Sequence, residues 1–152
     1  MVTTLGKEVG IGVADFMSVE QRSAAMSAVR GKDTAIERSL RSSLHRRGFR
    51  FRKNVRGLPG QPDIVLPKYG FVIFVHGCFW HHHLNCKRSK LPSTRRDFWP
   101  KKIRDNVKRD QQQIRALRDR GWNVKVVWEC NLRNDEERVV EELVQGLPNL
   151  DC

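Results

Sequence analysis

Long apolar runs are missing from this chain. No stretch of its 152 residues approaches the roughly 20 that cross a bilayer, and no amphipathic lipid-binding segment stands out, so a membrane protein is not expected. The opening MVTTLGKEVGIGVADFM has neither the continuous apolar core nor the cleavage site of a secretory signal, and a cytoplasmic location is the expectation. Cysteine is scarce, with only Cys78, Cys86, Cys130 and Cys152. Secreted, these would pair as disulfides; with histidines among them and no signal, reduced metal ligands are expected, and the terminal Cys152 is a spare. Acid is in deficit too: 17 Asp plus Glu face 29 Lys plus Arg, a net charge of +12. An excess on that scale points to a polyanionic partner, nucleic acid first. There is no repeat and no linker. The length suits one domain, read as a flexible N-terminus over 1–17 followed by a single domain over 18–152.

What is present concentrates in residues 58–86, LPGQPDIVLPKYGFVIFVHGCFWHHHLNC. The turn Leu58-Pro59-Gly60-Gln61-Pro62 opens it, its prolines fixing φ and its glycine allowing a tight bend. Asp63 then heads the apolar run Ile64-Val65-Leu66. A second turn, Pro67-Lys68-Tyr69-Gly70, leads into Phe71-Val72-Ile73-Phe74-Val75, β-branched and aromatic at strand length. Two strands so closely linked make a hairpin, which brings Asp63 near the far end of the second strand. That end carries His76-Gly77-Cys78-Phe79-Trp80-His81-His82-His83, then Cys86. Cys78, His83 and Cys86 form a C-x4-H-x2-C array, and Cys130 offers a fourth soft ligand. Thiolates and imidazole at this density suit tetrahedral zinc; ordinary buried cysteines beside a polar histidine run are the competing reading. Asp63, His76 and His81 are hard or titratable groups suited to Mg²⁺ or to proton transfer.

Around this centre the chain reads as alternating elements. Ser18-Val19-Glu20-Gln21 has the form of a capping box and predicts a helix to Gly31, with Arg22, Met26 and Arg30 on one face. Asp33-Thr34 caps a second helix that buries Ile36, Leu40 and Leu44, carries Glu37 in its first turn and ends at Gly48. Phe49-Arg50-Phe51-Arg52 alternates like a strand with a cationic face. Lys87 to Lys90 and Pro92 to Arg96 are basic loops. Asp97-Phe98-Trp99-Pro100 starts a long helix to about Arg120, with Ile103, Val107, Ile114 and Leu117 inward. Asp110 lies among its cations, where an intrahelical ion pair is the plain reading. Trp122 to Trp128 is a strand closed by Glu129-Cys130, as His76-Gly77-Cys78 closes the earlier one. A final helix, Glu136 to Gln145, turns Val139, Val140, Leu143 and Val144 inward. The order gives an α/β fold, a mixed sheet flanked by helices.

Over roughly residues 18–146 the chain resembles the very-short-patch-repair (Vsr) DNA mismatch endonucleases, through RSAAMSAVR, KDTAIERSLR, LPGQPDIVLP, FVHGCFWHHH, TRRDFWPKKIRDNVKRD and GWNVKVVWEC. The resemblance implies a restriction-endonuclease-like fold, in which a Pro-Asp is usually followed by acid-x-Lys on the next strand. Pro62-Asp63 stands in place, while Phe74-Val75-His76 occupies the acid-x-Lys position, itself a Vsr feature. The implied activity is a strand-specific nick 5′ of the thymine in a T·G mismatch, the product of 5-methylcytosine deamination. By the same resemblance Asp63 and the backbone carbonyl of Val75 hold catalytic Mg²⁺. His81 is the acid/base or water-orienting residue, with His76 in the site and Asp110 and Glu37 as supporting acids. Structural Zn²⁺ falls to Cys78, His83, Cys86 and Cys130, with His82 the alternative to His83. Phe79, Trp80 and Trp99 correspond to an aromatic wedge entering the duplex, and Met26 to a residue reaching the opposite groove. The implied partner is double-stranded DNA bearing a T·G mismatch, with repair proteins as further partners. The protein would act as a monomer in the bacterial cytoplasm, on the nucleoid.

Two rivals share parts of this pattern. Another metal-dependent nuclease of the same fold would keep Asp63 but have no need of the wedge. A non-catalytic, zinc-stapled DNA-binding protein would explain charge and cysteines but leave Pro62-Asp63 and His81 idle.

Overall fold

Alternation along two short apolar runs decides the architecture. In the computed structural model, which describes residues 34–149, Ile64–Leu66 forms β1, Phe71–His76 forms β2 and Asn123–Trp128 forms β3. They make a three-stranded sheet in the order β1-β2-β3. β1 pairs antiparallel with β2, Ile64 opposite Ile73 and Leu66 opposite Phe71, across a 3-10 turn at Pro67–Tyr69. The expected hairpin is therefore present. β2 pairs parallel with β3, Phe71 opposite Asn123 and His76 opposite Trp128, so the sheet is mixed. The predicted helix of residues 18–30 with Met26, the segment 1–17 and Cys152 lie outside the described residues.

Because strand side chains alternate, the sheet feeds two cores. Ile64, Leu66, Phe71, Ile73 and Val127 join Leu40 and Leu44 of α1 (Ala35–Arg46) with Leu132, Val140 and Leu143 of α3 (Glu129–Gln145). Val65, Val72 and Phe74 point the other way, onto Leu117 of α2 (Phe98–Asp119). Each such buried side chain contributes about 1.5–3 kcal/mol. By the same parity His76 and Trp128 are on the α2 face of the sheet. Among the described residues no helix is long and apolar enough to cross a membrane.

The helix ends follow local chemistry. Thr34 caps α1, its hydroxyl oxygen accepting the Glu37 N–H at 3.3 Å. At the other end Gly48 takes φ +91° while its N–H reaches His45 O and that of Phe49 reaches Leu44 O, a Schellman closure that favours glycine.

Three local expectations are corrected. Phe49–Arg52 is not a strand: a single bridge joins Arg52 to Val65, since a three-residue β1 offers little edge to pair with. Val107 is only half-buried, and the polar Asn106 beside it is the buried residue of that turn. Finally, Glu129-Cys130 does not simply close β3 but starts α3, helped by the Arg133–Glu129 pair at 2.9 Å. The predicted Glu136–Gln145 segment is the second half of that helix. Asp135 breaks it with φ −157° and accepts the Arg138 N–H at 3.1 Å, acting as an N-cap inside the element.

Gly60 ties the turn before β1 to α2. Its φ is +73°, and a Cβ there would lie 2.8 Å from Gln113 Oε1 and 3.2 Å from Gln113 Cβ. Gly60→Ala is expected to cost about 1–2 kcal/mol in urea unfolding, from the left-handed backbone and the contact together. Adding Gln113→Ala should return only the contact part; full recovery would mean that the backbone conformation contributes nothing.

Candidate active site and metal centre

The strand register gathers the reactive residues at one end of the sheet. β2 and β3 are parallel and β1 runs against them, so the C-terminal ends of β2 and β3 meet the N-terminal end of β1. β1 starts only at Ile64, leaving the Val75 N–H beyond the ladder. The Asp63 carboxylate takes it, with Oδ2 accepting at 2.7 Å. Asp63 is 8% exposed, and Glu37, on the first turn of α1, is 3% exposed. Glu37 pairs with Arg41 one turn along, at 3.8 Å. Burial pushes the Asp63 carboxyl up to about 7; the Val75 N–H works against the rise, Glu37 adds to it, and Arg41 and His81 oppose it. A buried carboxylate with an acidic neighbour is a donor set that fits a small hard cation, which would favour the ionised form.

His81 leaves β2 on the loop that follows it and meets Asp110 of α2, with Nδ1 to Oδ2 at 2.5 Å. The intrahelical reading of Asp110 gives way to this pairing across 29 residues of sequence. The ring of His81 stacks on that of His76 at 3.9 Å and 7°. Burial and the neighbouring His81 push His76 down to about 4, with Asp110 acting the other way, so His76 is uncharged at neutral pH. Donor atoms of His76, His81 and Asp110 lie within 4.8 Å of one another. The two imidazoles are nearly parallel, however, so their in-plane lone pairs do not converge, and His81 Nδ1 is already engaged. Such a pair can hold a proton at a fixed place but does not form a metal cage.

Cys78, His83, Cys86 and Cys130 form a second cluster within the same 4.8 Å limit. Pairing His76 with Trp128 sets Cys78 and Cys130, each two residues on, side by side. His83 Nδ1 lies 3.6 Å from Cys78 Sγ and 3.3 Å from Cys130 Sγ. Tetrahedral zinc with ordinary bond lengths needs about 3.5–3.6 Å along such nitrogen–sulfur edges, so shifts of a few tenths of an ångström complete the fit. His83, and not His82, joins the cluster: His82 at φ +52° and Asn85 at φ +57° turn the loop back, and His and Asn tolerate that region better than most residues. Burial pushes the Cys78 thiol up to about 12, so a metal must displace its proton on binding.

The aromatic residues pack together. Phe79, Trp80 and Trp99 contact one another edge to face at 5.1, 5.3 and 6.0 Å. Phe79 and Trp80 are half-buried, but Trp99 is 5% exposed, which corrects the expectation that it fronts the surface. Its own partners cover it. Two features escaped the sequence reading. Asn106 donates to the Trp80 carbonyl at 3.1 Å and accepts from Arg109 at 3.0 Å, holding the Trp80 backbone. Phe98 is 41% exposed beneath the Arg95 guanidinium, 4.2 Å from the ring centre.

The raised Asp63 value has a direct consequence. Between its ordinary 3.8 and about 7 the metal-free folded protein holds a proton that the unfolded chain releases. Stability therefore falls as pH rises through that interval. Asp63→Asn keeps an acceptor for Val75 without the charge. It should raise the melting temperature of the metal-free protein at pH 8 by at least about 3 °C, with the gap closing towards pH 5. A variant less stable than wild type at pH 8 would contradict the account of the buried charge.

Comparison with known proteins matches the chain to one family. The family model for DNA mismatch endonuclease Vsr covers residues 14–88. DNA mismatch endonuclease Vsr of Escherichia coli (strain K12) is 46% identical over 140 residues, 92% of this chain and 89% of that protein. The type II nicking enzyme V.XorIIP of Xanthomonas oryzae pv. oryzae is 48% identical over 120 residues, 79% of this chain and 88% of its own. V.NmeAIP, a type II nicking enzyme of Neisseria meningitidis serogroup A, is 42% identical over 122 residues, 80% of this chain and 86% of its own. With identity this high over nearly the whole length, the chain belongs to the Vsr family of DNA mismatch endonucleases.

Proposed function

We propose that this chain, as one restriction-endonuclease-like domain over residues 18–152, is a Mg²⁺-dependent endonuclease that nicks one strand 5′ of the thymine in a T·G mismatch. The observation that carries the reading is the meeting of the buried Asp63 with the His81–Asp110 pair at one end of the sheet. The relatives' own names, a mismatch endonuclease and nicking enzymes, point the same way. Asp63 and the Val75 carbonyl would hold the cation, which supplies neutralisation of charge building on the phosphate. His81, with Nδ1 committed to Asp110, exchanges the proton of the attacking water through Nε2. His76, neutral beneath it, supports the ring without competing for that proton. Glu37 and Arg41 set the charge around Asp63.

Zn²⁺ on Cys78, His83, Cys86 and Cys130 would fasten the loop bearing Phe79 and His81 to the start of α3. Phe79 and Trp80 enter the base stack, backed by Trp99, while Met26 reaches the other groove. Stacking is worth about 1–3 kcal/mol per base, enough to open a step weakened by mispairing but not a sound one. The net charge of +12 supplies the sequence-independent phosphate affinity.

A nicking assay on T·G and T·A duplexes, with and without Mg²⁺, tests the whole reading: cleavage is expected only with both mismatch and cation. Asp63→Asn should slow nicking by more than about 100-fold while DNA affinity stays within about threefold, because lysines and arginines make the phosphate contacts. Parallel loss of binding in a folded variant would remove Asp63 from the metal role. Trp80→Ala should keep fold and non-specific binding but lose the preference for T·G; full discrimination by this variant would end the wedge assignment. Elemental analysis should find one zinc per chain, with Cys130→Ser partly unfolding, and native protein without zinc would refute the structural-metal role.

A further inference from the structure

The Cys/His cluster and the His81–Asp110 pair are joined by a continuous series of rings. The indole of Trp128 lies flat on His83, with centroids 4.3 Å apart and planes 8° apart. The same indole meets His76 edge to face, at 5.4 Å and 73°. His76 in turn stacks on His81 at 3.9 Å and 7°, and His81 is tied to Asp110. Trp128 is only half-buried, so filling a core does not account for it. Its place is set by the sheet, where it is the register partner of His76.

We propose that Trp128 is a positioning residue that couples the geometry of the Cys/His cluster to the orientation of His81. The proposal rests on the reading of His81 as the acid/base. The direct chain link between His81 and His83 runs through His82 alone, in a left-handed conformation. Such a link sets a distance but leaves the plane of each ring free to rotate. Two face-to-face stacks, Trp128 on His83 and His76 on His81, joined edge to face where the indole meets His76, remove that freedom: if the plane of His83 turns, Trp128 follows, and His76 and His81 with it. Planarity matters because His81 must offer one nitrogen to Asp110 and the other to its proton partner at once. A metal held by the cluster would then order the acid/base as well as fasten the loop. The contact is visible only in three dimensions, since Trp128 reads in the sequence as an ordinary last residue of a strand.

Trp128→Leu and Trp128→Phe test this, each checked for zinc by elemental analysis. The first measurement is the His81 ring cross-peak in a ¹H–¹³C spectrum, assigned by its loss in His81→Asn. The second is the single-turnover nicking rate at saturating T·G duplex, alongside DNA affinity. For Trp128→Leu the His81 peak should move or split, and nicking should slow by about 10- to 100-fold with zinc kept and affinity within about threefold. Trp128→Phe, which restores a flat ring, should return to within roughly threefold of wild type with a smaller change at His81. A wild-type His81 peak and a wild-type rate in Trp128→Leu overturn the proposal, as does a rate loss matched by loss of zinc or of DNA affinity. If Trp128→Leu does not fold, Trp128→Phe decides alone: a measurable His81 shift supports the coupling and none overturns it. Wild type that fails to nick would instead remove the functional reading, while the His81 spectrum would still report whether the rings are coupled.

Discussion

The parallel register of β2 against β3 is the constraint on which the rest of the site depends. Pairing His76 with Trp128 puts both on the α2 face, and it sets Cys78 beside Cys130 just past the strand ends. A slip of one residue would send every side chain of one strand to the opposite face. His76 would then point at α1 and α3, and the four soft ligands would no longer meet. The apolar residues choose the register: Phe71, Ile73 and Val127 must enter one core while Val72 and Phe74 enter the other. At about 1.5–3 kcal/mol per buried side chain, a slip would forfeit more than any single metal ligand or ion pair supplies in place. The reactive groups sit where the hydrophobic pattern delivers them.

That delivery has a cost at Asp63. An ionised carboxylate that is 8% exposed, with Glu37 adding to the strain, is unfavourable without a cation, and one neutral N–H from Val75 offsets only part of it. The instability of the empty site and the gain that a hard divalent ion would bring there are two descriptions of the same desolvation. His76 shows the converse. Burial keeps it uncharged, so it adds no positive charge beneath the ring of His81.

Much of this was legible in the sequence, and what was not shares a physical cause. The hairpin, the position of Asp63, the extent of α2 and the four cluster ligands all rest on local signals: turn residues, alternation, and two strands ending in cysteine at the same offset. What failed depended on partners far along the chain. Phe49–Arg52 alternates like a strand, but whether it pairs is decided by how short β1 is. Trp99 follows a basic, proline-containing loop and reads as surface; Phe79 and Trp80, brought in from the histidine loop, bury it. Asn106 looks like one more polar position on a charged helix, yet its partner is the Trp80 carbonyl, 26 residues earlier. The expected choice of His83 over His82, by contrast, agrees with the cluster, the left-handed backbone at His82 turning the loop so that His83 meets the cysteines. For Asp110 local spacing alone suggests an ion pair within its helix, whereas the family resemblance points to the site, and a loop 29 residues away supplies the partner.

The long helix α2 explains how three separate demands are met together. Asn106, Asp110, Gln113 and Leu117 recur at the spacing of a single helix face. Asn106 holds the backbone of Trp80, Asp110 holds the ring of His81, Gln113 lies against Gly60 in the turn leading to Asp63, and Leu117 anchors the stripe in the core. The other faces expose Lys101, Lys102, Arg104, Lys108 and Arg109, the charges that draw in a polyanion. One helix of 22 residues thus fixes the aromatic loop, the His81–Asp110 pair and the turn before Asp63 in a common frame, beside a strongly basic surface. Placed on separate loops, each group would fluctuate independently, and an error of an ångström between them costs on the order of 100-fold in rate. On one hydrogen-bonded rod their relative positions change only if the helix itself bends, and Leu117 under the sheet resists that.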